Sequence, residues 1–254
     1  MSERLKSRTS ALFLLYLLCW ACTCSAGTLS TLTQSRWVEV AHVYDGDTFR
    51  TAKGEKVRLL GINTPEVAHN IEPGQPFGKR ARTRLVQLLQ GKLVRLRTDK
   101  NRHDNYGRLL AQVWLRDGTW INALLVREGL AHVYTFAPNF HWAGQLLQEE
   151  RTARQAKTGI WSNRRFRVLN ASQVSRRHIG QFRIVEGQAK GSKRAAFQLG
   201  ELNVSIPRKY RTYFDPLPHL REGQPVRIRG TIRASSRGRL YLALHSPYDL
   251  EIIE

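Results

Sequence analysis

Both halves of the chain contain short runs in which apolar and polar residues alternate, and most of these runs end near a glycine. In the first half the runs cover residues 37–44, 48–50, 56–61, 93–97 and 108–115. A period of two residues is typical of half-buried β-strands. Apolar residues recur at helical spacing over 77–89, 121–130 and about 140–156. Five short strands with three helices predict a mainly β, α+β fold, a small β-barrel braced by helices.

From about residue 180 onward the alternation predicts further strands and a second small β-barrel. Arg227, Arg229 and Arg233 alternate with apolar residues, so one face of this strand is predicted to carry three guanidinium groups. Tyr241 lies in a neighbouring run of the same kind. A row of cations beside an aromatic ring is suited to the backbone and bases of a single strand of nucleic acid.

The charge of the chain favours a polyanionic partner. The sequence has 41 Lys and Arg against 20 Asp and Glu, a formal net charge of +21. Residues 164–254 hold eighteen basic and seven acidic residues, and residues 151–185 hold nine basic residues and no acidic one. This balance points to nucleic acid, or alternatively to an anionic membrane surface. A hydrophobic content of 41% excludes disorder as the main state.

Residues 1–26 have the pattern of an export signal. A basic opening precedes an unbroken apolar run over residues 11–22, and small residues follow at 25–27. The apolar run is shorter than the roughly 20 residues that span a bilayer, although an uncleaved anchor is the alternative. Cys19, Cys22 and Cys24 all lie in this segment. We therefore expect a periplasmic or secreted protein with no disulfide, no cysteine-bound zinc and no stable membrane span after cleavage.

Three local clusters combine carboxylates and arginines with turn residues. They are residues 45–48 (Asp-Gly-Asp-Thr), residues 58–66 (Arg-Leu-Leu-Gly-Ile-Asn-Thr-Pro-Glu) and residues 104–108 (Asp-Asn-Tyr-Gly-Arg). Each cluster alone is typical of an ordinary turn, because Asp, Gly and Pro satisfy turn geometry. In this order and at these separations, together with residues 126–131 and 159–162, the sequence over 37–163 resembles the staphylococcal nuclease (thermonuclease) family.

The resemblance implies an oligonucleotide-binding (OB) barrel with three helices and calcium-dependent endonuclease hydrolysis of phosphodiesters in DNA, RNA or both. Arg58 and Arg108 match the phosphate-binding arginines of the family, and Glu66 matches the glutamate that acts on the attacking water. Guanidinium groups suit phosphate because they donate two parallel hydrogen bonds and keep their charge. Tyr106 and Tyr134 match the tyrosines that contact the phosphates of the nucleotide.

The metal ligands implied by the resemblance are the Asp47 carboxylate, which we expect at a surface turn, residue 63 and the Thr64 carbonyl. The family has an aspartate where this chain has Asn63. An amide oxygen can bind Ca²⁺, a hard cation that takes 6–8 oxygen ligands, but it brings one negative charge fewer. We therefore expect weaker metal binding, and another divalent metal is an alternative to calcium.

The sequence thus predicts four segments: a signal peptide over 1–26, a nuclease-like OB domain over 37–163, a basic linker over 164–179 and an OB-like nucleic-acid-binding domain over 180–254. We expect the last domain to tether nucleic acid through Arg227, Arg229, Arg233 and Tyr241 without taking part in catalysis. The partners expected are DNA and RNA, and no protein partner is implied. The alternative is a nucleic-acid-binding protein that keeps the barrel and has lost hydrolysis, which would leave the combination of Arg58, Glu66 and Arg108 without a chemical reason.

Overall fold

A computed structural model describes residues 35–68, 73–193 and 195–253. The predicted signal segment therefore lies outside the described residues. Within them, no helix is long and apolar enough to cross a membrane.

Residues 35–114 contribute five strands that close into a barrel. Its hydrogen-bonded order is β1–β2–β3–β6–β5, and β1 closes the ring by pairing with β5. All pairs are antiparallel except β3 with β6. A separate two-stranded pair, β4 with β7, lies beside the barrel. These seven strands are β1 (Ser35–Val43), β2 (Thr48–Thr51), β3 (Lys56–Leu59), β4 (Ile62–Asn63), β5 (Leu93–Arg97), β6 (Leu109–Trp114) and β7 (His132–Val133).

Three helices pack against this barrel and complete one hydrophobic core. They are α1 (Gly78–Leu89), α2 (Ile121–Arg127) and α3 (Ala143–Gln155). In α1 the buried residues Ala81, Leu85 and Leu88 recur at intervals of three and four, which is the spacing of one helix face. The predicted fold class, an OB-like barrel with three helices, is confirmed.

The C-terminal strands form a second, half-barrel sheet with its own core. Their order is β13–β14–β11–β10–β9–β12–β15, and β8 pairs with β9 from outside this path. The strands are β8 (Leu169–Asn170), β9 (Phe182–Lys193), β10 (Ala196–Leu199), β11 (Leu202–Ser205), β12 (Pro225–Thr231), β13 (Arg233–Ala234), β14 (Leu240–Ala243) and β15 (Leu250–Ile252). Leu169, Ala171 and Val174, inside the predicted linker, are buried in this core. The predicted domain boundaries themselves stay a prediction.

Residues Thr33–Glu254 form one compact unit, in which the barrel and the half-barrel are joined by a buried cluster of charges. Glu150 of α3 has no exposed surface, and its Oε2 lies 2.8 Å from Nη1 of Arg229 in β12, which is 4% exposed. Around this pair, Arg151 contacts Glu251 of β15 at 3.0 Å. Such a pair is stabilising only while both members are present, because either charge alone would be buried without compensation.

This contact corrects the prediction of a nucleic-acid-binding row on β12. Arg229 is buried against Glu150, and Arg227 is held by Glu186 at 2.7 Å and by Glu251 at 3.1 Å. The alternation was correct, but the arginine face of the strand is covered by acidic side chains of α3 and its neighbours instead of facing solvent. For Arg233, which is exposed, and its cross-strand partner Tyr241, the nucleic-acid role stays a prediction.

We predict that Arg229→Ala lowers the free energy of unfolding by about 3 kcal/mol, because Glu150 would keep a buried charge with only the more distant Arg154, at 3.8 Å, to balance it. Arg233→Ala, which removes an exposed arginine a short distance along the chain, should change it by less than about 0.5 kcal/mol. Urea denaturation of both variants measures the difference. Equal effects of the two substitutions would show that the Glu150–Arg229 pair does not stabilise the junction between the barrel and the half-barrel.

Candidate active site

The residues 45–48 and 62–66 are held against each other by one buried carboxylate. Asp47 Oδ2 accepts a hydrogen bond from the Thr64 amide at 2.9 Å, and its Oδ1 accepts one from the Thr48 hydroxyl at 3.1 Å. Asp47 is only 5% exposed, so the expectation of a surface carboxylate was wrong. Gly46 permits this approach, since a Cβ there would lie 2.7 Å from Thr64 Oγ1.

Arg58, at the end of β3, connects the same two segments. Its Nη1 lies 2.8 Å from Asp47 Oδ2, and its Nη2 donates to Asn63 Oδ1 at 2.8 Å. The Asn63 amide in turn donates to the Thr64 carbonyl at 3.2 Å. The guanidinium is therefore fixed in orientation at the wall of a cleft, with a carboxylate on one side and an amide on the other.

Glu66 follows this turn and presents an exposed carboxylate to the same cleft. That carboxylate forms no hydrogen bond or ion pair with another described residue. Its backbone is nevertheless well held, because the Glu66 carbonyl accepts from the Gln75 amide at 2.8 Å and packs closely on Gly78 at the start of α1. A Cβ at Gly78 would lie 2.3 Å from the Glu66 carbonyl oxygen. The structure thus combines a rigid main chain with a free carboxylate.

Arg108 reaches the cleft from the other side, on a turn organised by Asp104. Asp104 Oδ1 accepts from the amides of Tyr106 and Arg108 at 2.9 and 3.0 Å, and Oδ2 accepts from Arg108 Nε at 2.7 Å. Burial alone would raise the pKa of Asp104, but these hydrogen bonds hold it below its usual value. Asp104 therefore stays ionised and orients Arg108. The Tyr106 ring is 84% exposed beside this arginine.

Seven of the eight site residues predicted in the first domain line one cleft of about 460 Å³. The eighth, Thr64, is buried behind its wall. The half-barrel residues Arg227, Arg229, Arg233 and Tyr241 do not line this cleft. The residues brought together are Asp47, Arg58, Asn63, Glu66, Tyr106, Arg108 and Tyr134.

A larger groove of about 880 Å³ runs along α1 but offers less chemistry. The only carboxylate that lines it in the described part of the chain, Glu128, is already paired with Arg84 at 2.6 Å. The cleft around Glu66 is therefore the candidate active site, since it brings a free carboxylate and paired carboxylates to the same lining as Arg58 and Arg108.

Asp45 is a residue of this cleft that the sequence analysis missed. Burial in the first place, and then the negative charge of neighbouring Asp47, raise its pKa to about 6. Its Oδ1 also accepts from the Asp47 amide at 2.9 Å, which is the turn-forming role expected of an aspartate there. The available signal was the repetition of Asp on both sides of Gly46, which places two carboxylates within one short turn.

The donor set fits a hard divalent cation. Two carboxylates, Asp45 and Asp47, lie beside the amide oxygen of Asn63 and the carbonyl of Thr64, and all of these donors are oxygens. Burial and the charge of Asp47 both disfavour the ionised form of Asp45, and a cation bound between the two carboxylates would relieve both effects. Among residues 35–68, 73–193 and 195–253 there is no group of three His, Cys, Asp or Glu side chains placed to hold a metal. Asn63 and the Thr64 carbonyl would therefore have to complete the site.

Comparison with known proteins agrees with this geometry. Residues 56–163 match the family described as staphylococcal nuclease homologue. The chain is 38% identical over 128 residues to the thermonuclease of Staphylococcus hyicus, which covers 49% of this chain and 75% of that protein. It is 37% identical over 144 residues to the endonuclease YncB of Bacillus subtilis, covering 54% and 68%. An uncharacterized endonuclease of Escherichia coli is 35% identical over 127 residues, covering 49% and 76%.

The chain therefore belongs to the staphylococcal nuclease family, and the resemblance found in its motifs is confirmed. Its relatives support a nuclease of that family, a hydrolase that acts on nucleic acid. The family match ends at residue 163, so the half-barrel lies outside it.

We predict that Asp47→Asn lowers the pKa of Asp45 in the metal-free protein, because the substitution removes the neighbouring negative charge while keeping a side chain of the same shape. Carboxyl ¹³C chemical shifts followed through a pH titration measure this value. Asp117→Asn, on an exposed turn, is the control and should leave it unchanged. A pKa of Asp45 that does not fall in Asp47→Asn would show that the two carboxylates do not interact.

Proposed function

We propose that the protein is an exported, divalent-metal-dependent endonuclease that hydrolyses phosphodiester bonds of DNA, RNA or both, with Ca²⁺ as the first candidate metal. The observation that carries this proposal is the free carboxylate of Glu66 in the same cleft as Arg58, Arg108 and the Asp45–Asp47 pair. Hydrolysis needs a base for the attacking water and positive charge for the phosphate oxygens, and this cleft contains both.

In the proposed reaction Glu66 takes a proton from a water molecule whose oxygen bonds to phosphorus. The bond from phosphorus to the leaving sugar oxygen breaks, and that oxygen takes a proton from solvent. Arg58 and Arg108 hold the phosphate by charge-assisted hydrogen bonds that strengthen as negative charge develops. Asp45, Asp47, Asn63 and Thr64 would hold the metal ion, which supplies additional positive charge at the phosphate when bound.

The arginines are pre-oriented for this role by their own partners. Arg58 is fixed by Asp47 and Asn63, and Arg108 is fixed by Asp104. Each guanidinium therefore loses little further freedom when phosphate arrives, which is the condition for efficient electrostatic stabilisation. Tyr106 and Tyr134 line the same cleft and would contact the nucleotide next to that phosphate.

Export rests on the sequence of residues 1–26, with their basic opening, apolar run and small residues. We propose that this segment is removed and that the mature protein acts in the periplasm or the medium. A mature chain beginning near residue 27 has no cysteine, so the reaction depends on no thiol or disulfide.

We predict that Glu66→Gln lowers turnover by about 10²–10⁴-fold, because glutamine keeps the shape of the side chain and cannot accept the proton of water. Binding of a non-cleaved oligonucleotide should change little, since Glu66 contacts water and not phosphate. Plasmid DNA and an RNA transcript, each assayed with Ca²⁺, Mg²⁺ or chelator, provide the substrates.

The control is Glu201→Gln, the same chemical change at an exposed residue of the half-barrel, which should cleave like the unchanged protein. Cleavage in excess chelator at the full rate would contradict metal dependence. Binding of both nucleic acids without cleavage under any metal would favour the alternative of a binding protein that has lost hydrolysis.

We predict that Asn63→Asp tightens Ca²⁺ binding by about tenfold, because it adds a carboxylate to the proposed oxygen ligands. Asn105→Asp adds the same charge to the same cleft on the Tyr106 turn, away from Asp47, and is the matched control. Calorimetric titration of both variants separates ligation from general attraction. Equal affinity of the two variants would mean that residue 63 is not a metal ligand.

A further inference from the structure

A groove of about 230 Å³ lies where the barrel meets the half-barrel, and we call it the junction groove. The barrel contributes Asn63, Gln75 and Tyr134 to its lining. The C-terminal part of the chain contributes Arg165, Gln181 and Thr231. Asn63 and Tyr134 also line the active-site cleft, so the groove and the cleft share a wall. A strand bound in the cleft can therefore continue into the groove past Tyr134.

One side of the junction groove is a rigid aromatic surface. The rings of His132 and Phe182 are stacked with centroids 4.2 Å apart, and Tyr134 meets Phe182 edge-on at 5.3 Å. His132 is only 6% exposed, so Phe182 and Tyr134, which are half-buried, provide the accessible part of this surface. Aromatic surfaces of this kind bind nucleobases with little dependence on sequence, because every base has a π-face.

The other side of the groove is basic. Arg165 is exposed, and its guanidinium has no carboxylate partner among the described residues. Its main chain is held by Arg183, which is 6% exposed and donates to the carbonyls of Arg165 and Arg167. Arg183 likewise has no carboxylate partner in the described part of the chain. Residues 151–185 contain no Asp or Glu. Arg151 and Arg154 pair with Glu251 from outside this segment, but no such pair neutralises Arg165 or Arg183 among the described residues.

We propose that the junction groove is a second substrate-binding subsite, which holds a nucleotide of a single strand next to the one being cleaved. Arg165 binds a backbone phosphate, Gln75 and Gln181 offer hydrogen bonds to sugar or base, and the aromatic side faces the base. The narrow volume and the aromatic surface favour a single strand over a duplex, in which the base faces are already stacked. This inference rests on the proposed function, since it extends the same substrate beyond the catalytic cleft.

The test measures binding apart from turnover. A fluorescent single-stranded DNA of about ten nucleotides is titrated with the full-length protein in chelator at several salt concentrations, and the anisotropy is recorded. We expect Arg165→Gln to weaken binding about tenfold and to lower the salt slope by about 0.7, the value for one phosphate contact on a single strand. Arg164→Gln removes the same charge from the neighbouring exposed residue, which does not line the groove, and should change affinity by less than about twofold.

A variant that changes shape and not charge provides the second arm. Thr231→Trp should fill the groove from β12 and weaken the binding of the ten-nucleotide strand, with the circular dichroism spectrum unchanged. Equal losses in Arg165→Gln and Arg164→Gln would overturn the proposal, because they would indicate diffuse attraction. Tighter binding of a duplex than of the single strand, with the same dependence on Arg165, would also overturn it.

This test distinguishes the failure of the subsite from the failure of the proposed function. Binding is measured in chelator and does not depend on cleavage. The absence of cleavage with every metal would therefore contradict the nuclease proposal, whereas the binding data would still decide whether the subsite exists. Conversely, if the protein cleaves nucleic acid but its affinity for the single strand is unchanged in Arg165→Gln and Thr231→Trp, only the subsite proposal is contradicted.

Discussion

The buried carboxylate of Glu150 joins three parts of this protein, and the active-site wall depends on it. From α3, its Oε1 accepts the Val133 amide of β7 at 2.8 Å and its Oε2 lies against Arg229 of β12. β7 in turn pairs with β4, so that His132 lies opposite Asn63. Tyr134, which follows β7, donates a hydrogen bond from its amide to the Gly61 carbonyl. Glu150 thus connects the half-barrel to the strand pair that carries Asn63 and Tyr134, together with the Arg151–Glu251 pair and the stack of His132 on Phe182.

This arrangement changes the role of the C-terminal half of the chain. Charge alone predicted a tether that acts apart from catalysis, with the arginines of β12 facing the nucleic acid. Two of those arginines are instead used inside the protein, against Glu150, Glu186 and Glu251. Arg165, on the segment 164–179 that was predicted as a linker, lines the junction groove beside the active site and is free to contact nucleic acid. The half-barrel therefore lines a groove beside the site through Gln181, Phe182 and Thr231, and its role as a tether stays a prediction.

The parts that could be predicted from the sequence are those encoded in contiguous residues. The clusters at 45–48, 58–66 and 104–108 each bring their own turn chemistry, and α1 has its buried face in a plain helical period. The residues that pack over one face of a strand come from distant parts of the chain, so the sequence of the strand does not reveal them. Glu150 and Arg229 are far apart in the chain, so neither the burial of Arg229 nor the groove beside it could be predicted. Asp45 was missed for the same reason, since burial determines whether a turn aspartate is ordinary or has a raised pKa.

We expect the barrel and the half-barrel to unfold as one cooperative unit around Glu150. The chain offers a direct test in a Trp161→Phe background, which removes the tryptophan that is buried with Ile184 of β9. The other tryptophans of the described residues all lie at or before Trp142, so their fluorescence reports on the first part of the chain. Hydrogen exchange of β9 and β12, followed by mass spectrometry through the same urea titration, reports on the half-barrel. We expect both signals to change at one midpoint, as a two-state transition requires. Exchange of β9 and β12 at clearly lower urea, with tryptophan fluorescence still native, would show that the half-barrel unfolds on its own.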